Sequence, residues 1–128
     1  MTPQYHHGDL PNALRFAAAE VIAEKGLGAF SLREVARRAK VSHTAPAHHF
    51  GDMTGLLTSL AVTGFDALHE AELEAINPDD SAAQRLASIA RAYVELAQQN
   101  PGFCEVMFRV DVVDVDDPAL QAAGMRSF

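Results

Sequence analysis

The chain has 128 residues, 48% of them hydrophobic and 21% charged, which suits a globular protein with one continuous core. No apolar run approaches the roughly 18 residues of a membrane span, and the opening M-T-P-Q-Y-H-H-G-D-L has no apolar leader, so the expected location is cytoplasmic. The net charge of −7 is unevenly spread: residues 1–50 carry six Lys and Arg against four Asp and Glu, with five histidines, and residues 51–128 carry four Arg against thirteen acids, which sets a basic head on an acidic body that repels phosphate.

Residues 1–8 read as an unstructured arm. Asp9 is an N-cap with Pro11 in the first turn that follows. Leu10, Leu14, Ala17, Ala18, Val21 and Ile22 recur at helical period, so a first helix runs to Lys25 and Gly26 ends it. Leu27 and Phe30 are apolar residues in a short loop. Ser31 with Glu34 three residues on makes a capping box for a second helix, whose apolar face is Leu32, Val35, Ala36 and Ala39. Arg33, Arg37, Arg38 and Lys40 lie mostly off that face. Ser42 is a second N-cap, opening a segment with His43, Thr44, His48 and His49 as polar side chains and Val41 and Phe50 as apolar anchors.

Asp52 caps a fourth helix with the stripe Leu57, Leu60, Ala61, Gly64, Phe65, Leu68 and Ala71, reaching Glu74. Gly55 and Gly64 weaken it by about 1 kcal/mol each relative to alanine. Glu70, Glu72 and Glu74 form a solvated face. Ser81 caps a fifth helix with Leu86, Ile89, Ala90, Tyr93, Val94 and Ala97 as its buried face, and Asn100-Pro101-Gly102 stops it. Phe103, Val106, Met107 and Val110 suggest a short sixth helix. V-D-V-V-D-V-D-D-P alternates like a strand, yet no second strand exists to pair with it, so it reads as a loop, and Asp117-Pro118 starts a seventh helix. The expected fold class is all-α: a three-helix head over 1–51 and a helical body over 52–128.

A short basic helix, a turn and a second short helix that begins with small polar residues is the layout of a helix-turn-helix, whose second helix enters the DNA major groove N-terminus first. On residues 31–50 alone, an ordinary αα-hairpin with solvated arginines stands equally well. The flanking sequence separates the two. The first helix, S-x-x-E-V-A, V-S-H-T-A-P-A-H-H-F and the following G-D-x-x-G-L-L together resemble the TetR/AcrR family of bacterial transcriptional regulators, over residues 8–65. Y-H-H-G-D-L and R-A-Y-V-E-L-A-Q-Q-N-P-G-F-C-E-V-M-F also look like one branch of it.

The resemblance implies a helix-turn-helix head and a ligand-binding and dimerisation domain, acting as a homodimer on a pseudo-palindromic operator until a small-molecule effector binds. It implies double-stranded DNA as a partner, no cofactor and no enzyme activity. Carried over by position, Arg33 reaches a base edge, where its planar fork suits guanine. His43, Thr44 and Ala45 begin the recognition helix, His48 and His49 face the DNA backbone or groove wall, and Ser42 caps the helix and touches a phosphate. Ala47 stands where the family often has a phosphate-binding tyrosine, and Met53 where many members have lysine. Pro46 inside the recognition helix requires it to start late, near Thr44, or to tighten its first turn. The family carries further C-terminal helices, of which the last two commonly build the dimer. The body is therefore expected to be incomplete, to expose apolar surface, and to dimerise weakly.

Other functions have less support. His6, His7, His43, His48 and His49 lack Cys or carboxylate neighbours at ligand spacing, so no metal site is expected. The single Cys104 has no nearby histidine and reads as an inert buried thiol. Tyr93, Phe103, Met107 and Phe108, with Met125, are candidates to line an apolar effector pocket between helices four to seven, although such a stripe is more often plain core. The alternative to a DNA-binding regulator is a helical module that binds a small molecule or partner and carries a vestigial head.

Overall fold

Helix boundaries fall where the chain supplies caps and breakers. In the computed structural model, which describes residues 9–127, seven α-helices follow in order: α1 Leu10–Lys25, α2 Leu32–Ala39, α3 Ala45–Phe50, α4 Met53–Ala75, α5 Ala82–Gln99, α6 Pro101–Met107 and α7 Pro118–Ser127. A 3-10 turn at Leu27–Ala29 joins α1 to α2, and no strand occurs among the described residues. The all-α expectation therefore holds, and V-D-V-V-D-V is a loop anchored by the buried Val113. The expected arm over 1–8, with His6 and His7, lies outside the described residues.

Capping follows the sequence in most places. Asp52 Oδ1 accepts the Gly55 amide at 2.8 Å, Ser81 and Gln84 form a complete capping box, and Asp117 Oδ2 accepts the Leu120 amide at 3.0 Å. Gly26 ends α1 at φ 78°. Three caps differ from expectation. Asp9 stands at the α1 N-cap without bonding a backbone amide and accepts the Asn12 side chain instead. Ser31 accepts the Glu34 amide, but the Glu34 carboxylate does not return the bond, because cations on α1 and α2 take it. Ser42 is not an N-cap: α3 begins at Ala45 with Thr44 before it, and the Ser42 and Thr44 hydroxyls lie 3.1 Å apart. The late start accommodates Pro46, whose missing N–H falls in the first turn, where no intrahelical bond is due.

The core is continuous from head to body. Leu14, Val21 and Ile22 of α1, Val35 of α2, Leu56, Leu60 and Leu68 of α4 and Val106 of α6 are fully buried. Three glycines set how closely the elements approach. A Cβ on Gly102 would stand 2.1 Å from the Ala19 carbonyl oxygen, so α6 rests directly on the backbone of α1. A Cβ on Gly64 would meet Met107 Sδ at 2.6 Å, and one on Gly55 would collide with the Phe50 carbonyl. Gly55 and Gly64 are therefore required close-approach positions as well as intrinsic weaknesses in α4. At its far end α4 is tied to α7 by Arg126–Asp66 at 2.5 Å and by the Ser127 hydroxyl on the Phe65 carbonyl at 2.8 Å.

The expected buried face of α5 is corrected. Ala92 is the buried residue of this helix, with Ser88 and Leu96 partly buried beside it; of the expected face, Ile89 and Ala97 are partly buried. Leu86, Ala90, Tyr93 and Val94 are exposed, Leu86 at 68%. The helix meets α4 through its small residues, and no described element covers its opposite side. Val110 also lies outside α6 and is exposed, while Phe103, Val106 and Met107 are buried as expected.

Candidate nucleic-acid interface

The head presents its charge selectively. Lys25, Arg37 and Arg38 are all engaged by carboxylates. Glu34 accepts from Arg37 at 2.6 Å and from Lys25 at 3.1 Å, and Arg38 makes two bonds to Glu24, at 2.7 and 2.8 Å. Hydrogen bonds from Arg37 and then Lys25 hold the Glu34 carboxyl down to about 2, well below its ordinary 4.5. The Arg38 bond lowers Glu24 in the same direction. This cluster fastens α2 to the end of α1.

Arg15 performs a different fastening. Its Nε donates to Ser59 Oγ of α4 at 2.6 Å, and its guanidinium sits 5.4 Å from the centre of the Phe50 ring at the end of α3. One side chain of α1 thus ties the helix-turn-helix to the start of α4. Ser59 lies 44 residues away in sequence, so no local pattern around Arg15 marks this contact.

Arg33 on α2 and Lys40 at its end are exposed and have no ion-pair partner among the described residues. Lys40 ends α2 in the left-handed region, at φ 60°, which lets the Val41 amide reach back to the Ala36 carbonyl at 3.0 Å. Ser42, His43 and Thr44 are exposed in the turn, Ala45 is partly buried as the first residue of α3, and His48 and His49 are exposed on α3 with rings 5.3 Å apart. Buried Pro46 and half-buried Phe50 anchor α3 from beneath. Ala47 and Met53, at the positions of the departures, are both exposed. The seven expected interface residues therefore occupy α2, the turn and α3, and six of them face solvent.

The four pocket candidates do not converge. Phe103 is buried and lines a cleft of about 160 Å³ between α1, α4, α5 and α6. Met107 is buried and borders an open groove on another side, near Phe65 and Leu120, which the exposed Met125 also lines. Tyr93 and Phe108 are exposed, with ring centres 6.3 Å apart, and line neither. No cluster of three or more His, Cys, Asp or Glu side chains suited to a metal occurs among the described residues. Cys104 is half-buried, and burial pushes its thiol above the ordinary value, away from the reactive thiolate. No described helix is long and apolar enough to cross a membrane.

Residues 15–60, from α1 to the first two turns of α4, match the family of bacterial regulatory proteins named tetR. Over these residues the chain belongs to the TetR family. It is 30% identical over 89 residues to the uncharacterized HTH-type transcriptional regulator YobS of Bacillus subtilis (strain 168), covering 70% of this chain and 46% of YobS. A protein of unknown function from Rhodococcus sp. RHA1 is 35% identical, with a TM-score of 0.76 over 96% of this chain and 64% of that one. A bacterial regulatory protein in the tetR family from Rhodococcus RHA1 is 27% identical, with a TM-score of 0.76 over 92% of this chain and 62% of its own. The TetR-family regulator PfmR of Thermus thermophilus shares the fold, with a TM-score of 0.72 at 23% identity over 90% of this chain and 63% of PfmR. The chain spans less than half of YobS and under two thirds of the two Rhodococcus proteins. The helix-turn-helix and the helical layout of the TetR family are thus those of this chain.

Proposed function

We propose that this protein is a sequence-specific DNA-binding transcriptional regulator. In this reading residues 1–51 are its DNA-binding head and residues 52–128 belong to its regulatory body. The observation that carries the reading is the division of the head's cations. Carboxylates hold Lys25, Arg37 and Arg38, while Arg33 and Lys40 are exposed and, among the described residues, without ion-pair partners around the helix-turn-helix turn. Unpaired cations beside an exposed recognition helix suit phosphate and guanine; a cation already bound to a carboxylate must first exchange partners. Arg33 reads a base, Ser42 and Lys40 meet phosphate, His43, Thr44 and Ala45 enter the groove, and His48 and His49 line its wall. The protein has no enzymatic role and works in the bacterial cytoplasm on nucleoid DNA. It acts as a homodimer on a pseudo-palindromic site, with recognition helices about 34–36 Å apart or slightly more, and a small molecule relieves its repression.

Selection of bound duplexes from a random library tests the reading. A two-fold symmetric site is expected, with Arg33→Ala relaxing preference at one base pair per half-site. Recovery of no site above background would favour the second reading, a partner-binding helical module with a vestigial head. The exposed apolar side of α5, Leu86, Tyr93 and Val94, is the feature in its favour.

A further inference from the structure

We propose that the cleft between α1, α4, α5 and α6 is a binding site for a small neutral aromatic molecule. Two close helix approaches build it. Gly102 seats α6 on α1 at Ala19, and Gly64 seats α6 on α4 at Met107, so the three helices are held at fixed separation. Beside these contacts the α4 wall is made of small residues, Gly64 and Ala67, and the space they leave is not filled from α5, where Leu96 forms the wall. The result is about 160 Å³ of accessible space. An apolar cavity of about 150 Å³ is large enough to take up benzene, so this partly open cleft has the size for a single ring.

The walls define the guest. Phe16 and Phe103 meet edge to face, with ring centres 5.6 Å apart at 78°, and present aromatic surface on which a third ring stacks favourably. Phe16 is 58% exposed despite its size, so a wall of the cleft opens to solvent and gives a guest a way in. No charged side chain lines the cleft among the described residues; the polar side chains there are Thr63, Asn100 and the protonated Cys104 thiol. A charged ligand would lose its hydration without compensation. A neutral single ring, with at most one hydroxyl to meet Thr63 or Asn100, fits. Because Phe16 belongs to the head and Phe103 to the body, a guest touches both units at once. This gives the effector of the proposed regulator a place and a chemical class, and rests on that reading only for its consequence at DNA.

The test is a titration of the full chain with benzene, phenol and benzoate, followed through the methyl signals of Thr63, Ala67 and Leu96 by heteronuclear NMR. Benzene and phenol are expected to shift these signals saturably and benzoate to leave them unmoved. Ala67→Leu and Cys104→Leu, which fill the space from two different helices, should each abolish the saturable shift, and either variant that keeps a cooperative melt decides the point. No saturable shift in the parent chain, equal binding of benzoate, or unchanged affinity in a folded filled variant would overturn the proposal. No DNA is present, so failure here and failure of the DNA reading are separate results.

Discussion

The same chemical change, glycine to alanine, should have opposite effects at Gly102 and Gly124. At Gly102 the new Cβ would lie 2.1 Å from the Ala19 carbonyl oxygen and 2.7 Å from its carbon, and both are backbone atoms that no rotamer change can move. Restoring an ordinary contact of 3.4 Å requires α6 to retreat from α1 by about 1.3 Å. The residues that follow on α6, Phe103, Val106 and Met107, are all buried, and Val106 completely so. A gap of 0.5–1 Å already forfeits roughly a quarter to a half of a dispersion contact. The expected loss is therefore at the upper end of the overpacking range, about 3 kcal/mol. For a chain of this size that lowers Tm by roughly 10 °C. At Gly124, inside α7, a Cβ meets nothing within 4 Å, so alanine should stabilise by about 0.5 kcal/mol through helix propensity. Urea and thermal unfolding followed by circular dichroism measure both. A Gly102→Ala loss below about 1 kcal/mol, or equal effects at the two sites, would refute the claim that α6 lies flush on α1.

Acid should loosen the α1–α2 junction. Glu34 and Glu24 titrate below their ordinary values in the folded chain, so the unfolded chain takes up protons first; their contribution is intact above about pH 4.5 and is lost as pH falls toward 2. Glu34→Gln should flatten that acid limb of stability against pH, and an unchanged limb would remove Glu34 from its cause. Lys40→Gly should stabilise the fold by about 1 kcal/mol, because glycine accepts the left-handed conformation at φ 60° without steric cost, while weakening DNA binding. Stability and affinity falling together would contradict this. Ala47→Tyr with Met53→Lys should tighten binding to all duplexes, and the added lysine should steepen the salt slope by about 0.9 per protomer, read from titrations at several salt concentrations.

Local chemistry made most of the head legible. Capping side chains, Gly26 and helical periodicity depend on residues three or four positions apart, and these marked α1, α2 and α4 closely. Pro46 displaced the start of α3 because a missing N–H is a local fact that the Ser42 cap reading had to yield to. Contacts distant in sequence were harder to read. Glu34 binds Lys25 nine residues away, Arg15 reaches Ser59, and buried Thr58 accepts the Asp114 amide at 2.9 Å across 56 residues. Thr58 did carry a signal, as a polar residue beside Leu57 and one helical turn before Ala61 on the apolar stripe. The face of α5 was misread because periodicity identifies an apolar stripe but not its neighbour. Ala92 and Leu96 meet α4, and the richer stripe of Leu86, Tyr93 and Val94 faces outward. The close-approach roles of Gly64 and Gly102 needed coordinates, since propensity alone gives every helical glycine the same cost.

DNA recognition is tested most directly by measuring affinity for a selected duplex and for random DNA across roughly 50–200 mM salt, with the parent chain, Arg33→Ala and Lys40→Gly. A base-reading Arg33 predicts a loss of about 1–3 kcal/mol on the selected duplex with the salt slope unchanged. A phosphate-binding Lys40 predicts a slope shallower by about 0.9 per head on both duplexes. Identical affinities of all three proteins for both duplexes, or a parent chain with no salt dependence, would contradict the assignment of the helix-turn-helix as the working DNA surface.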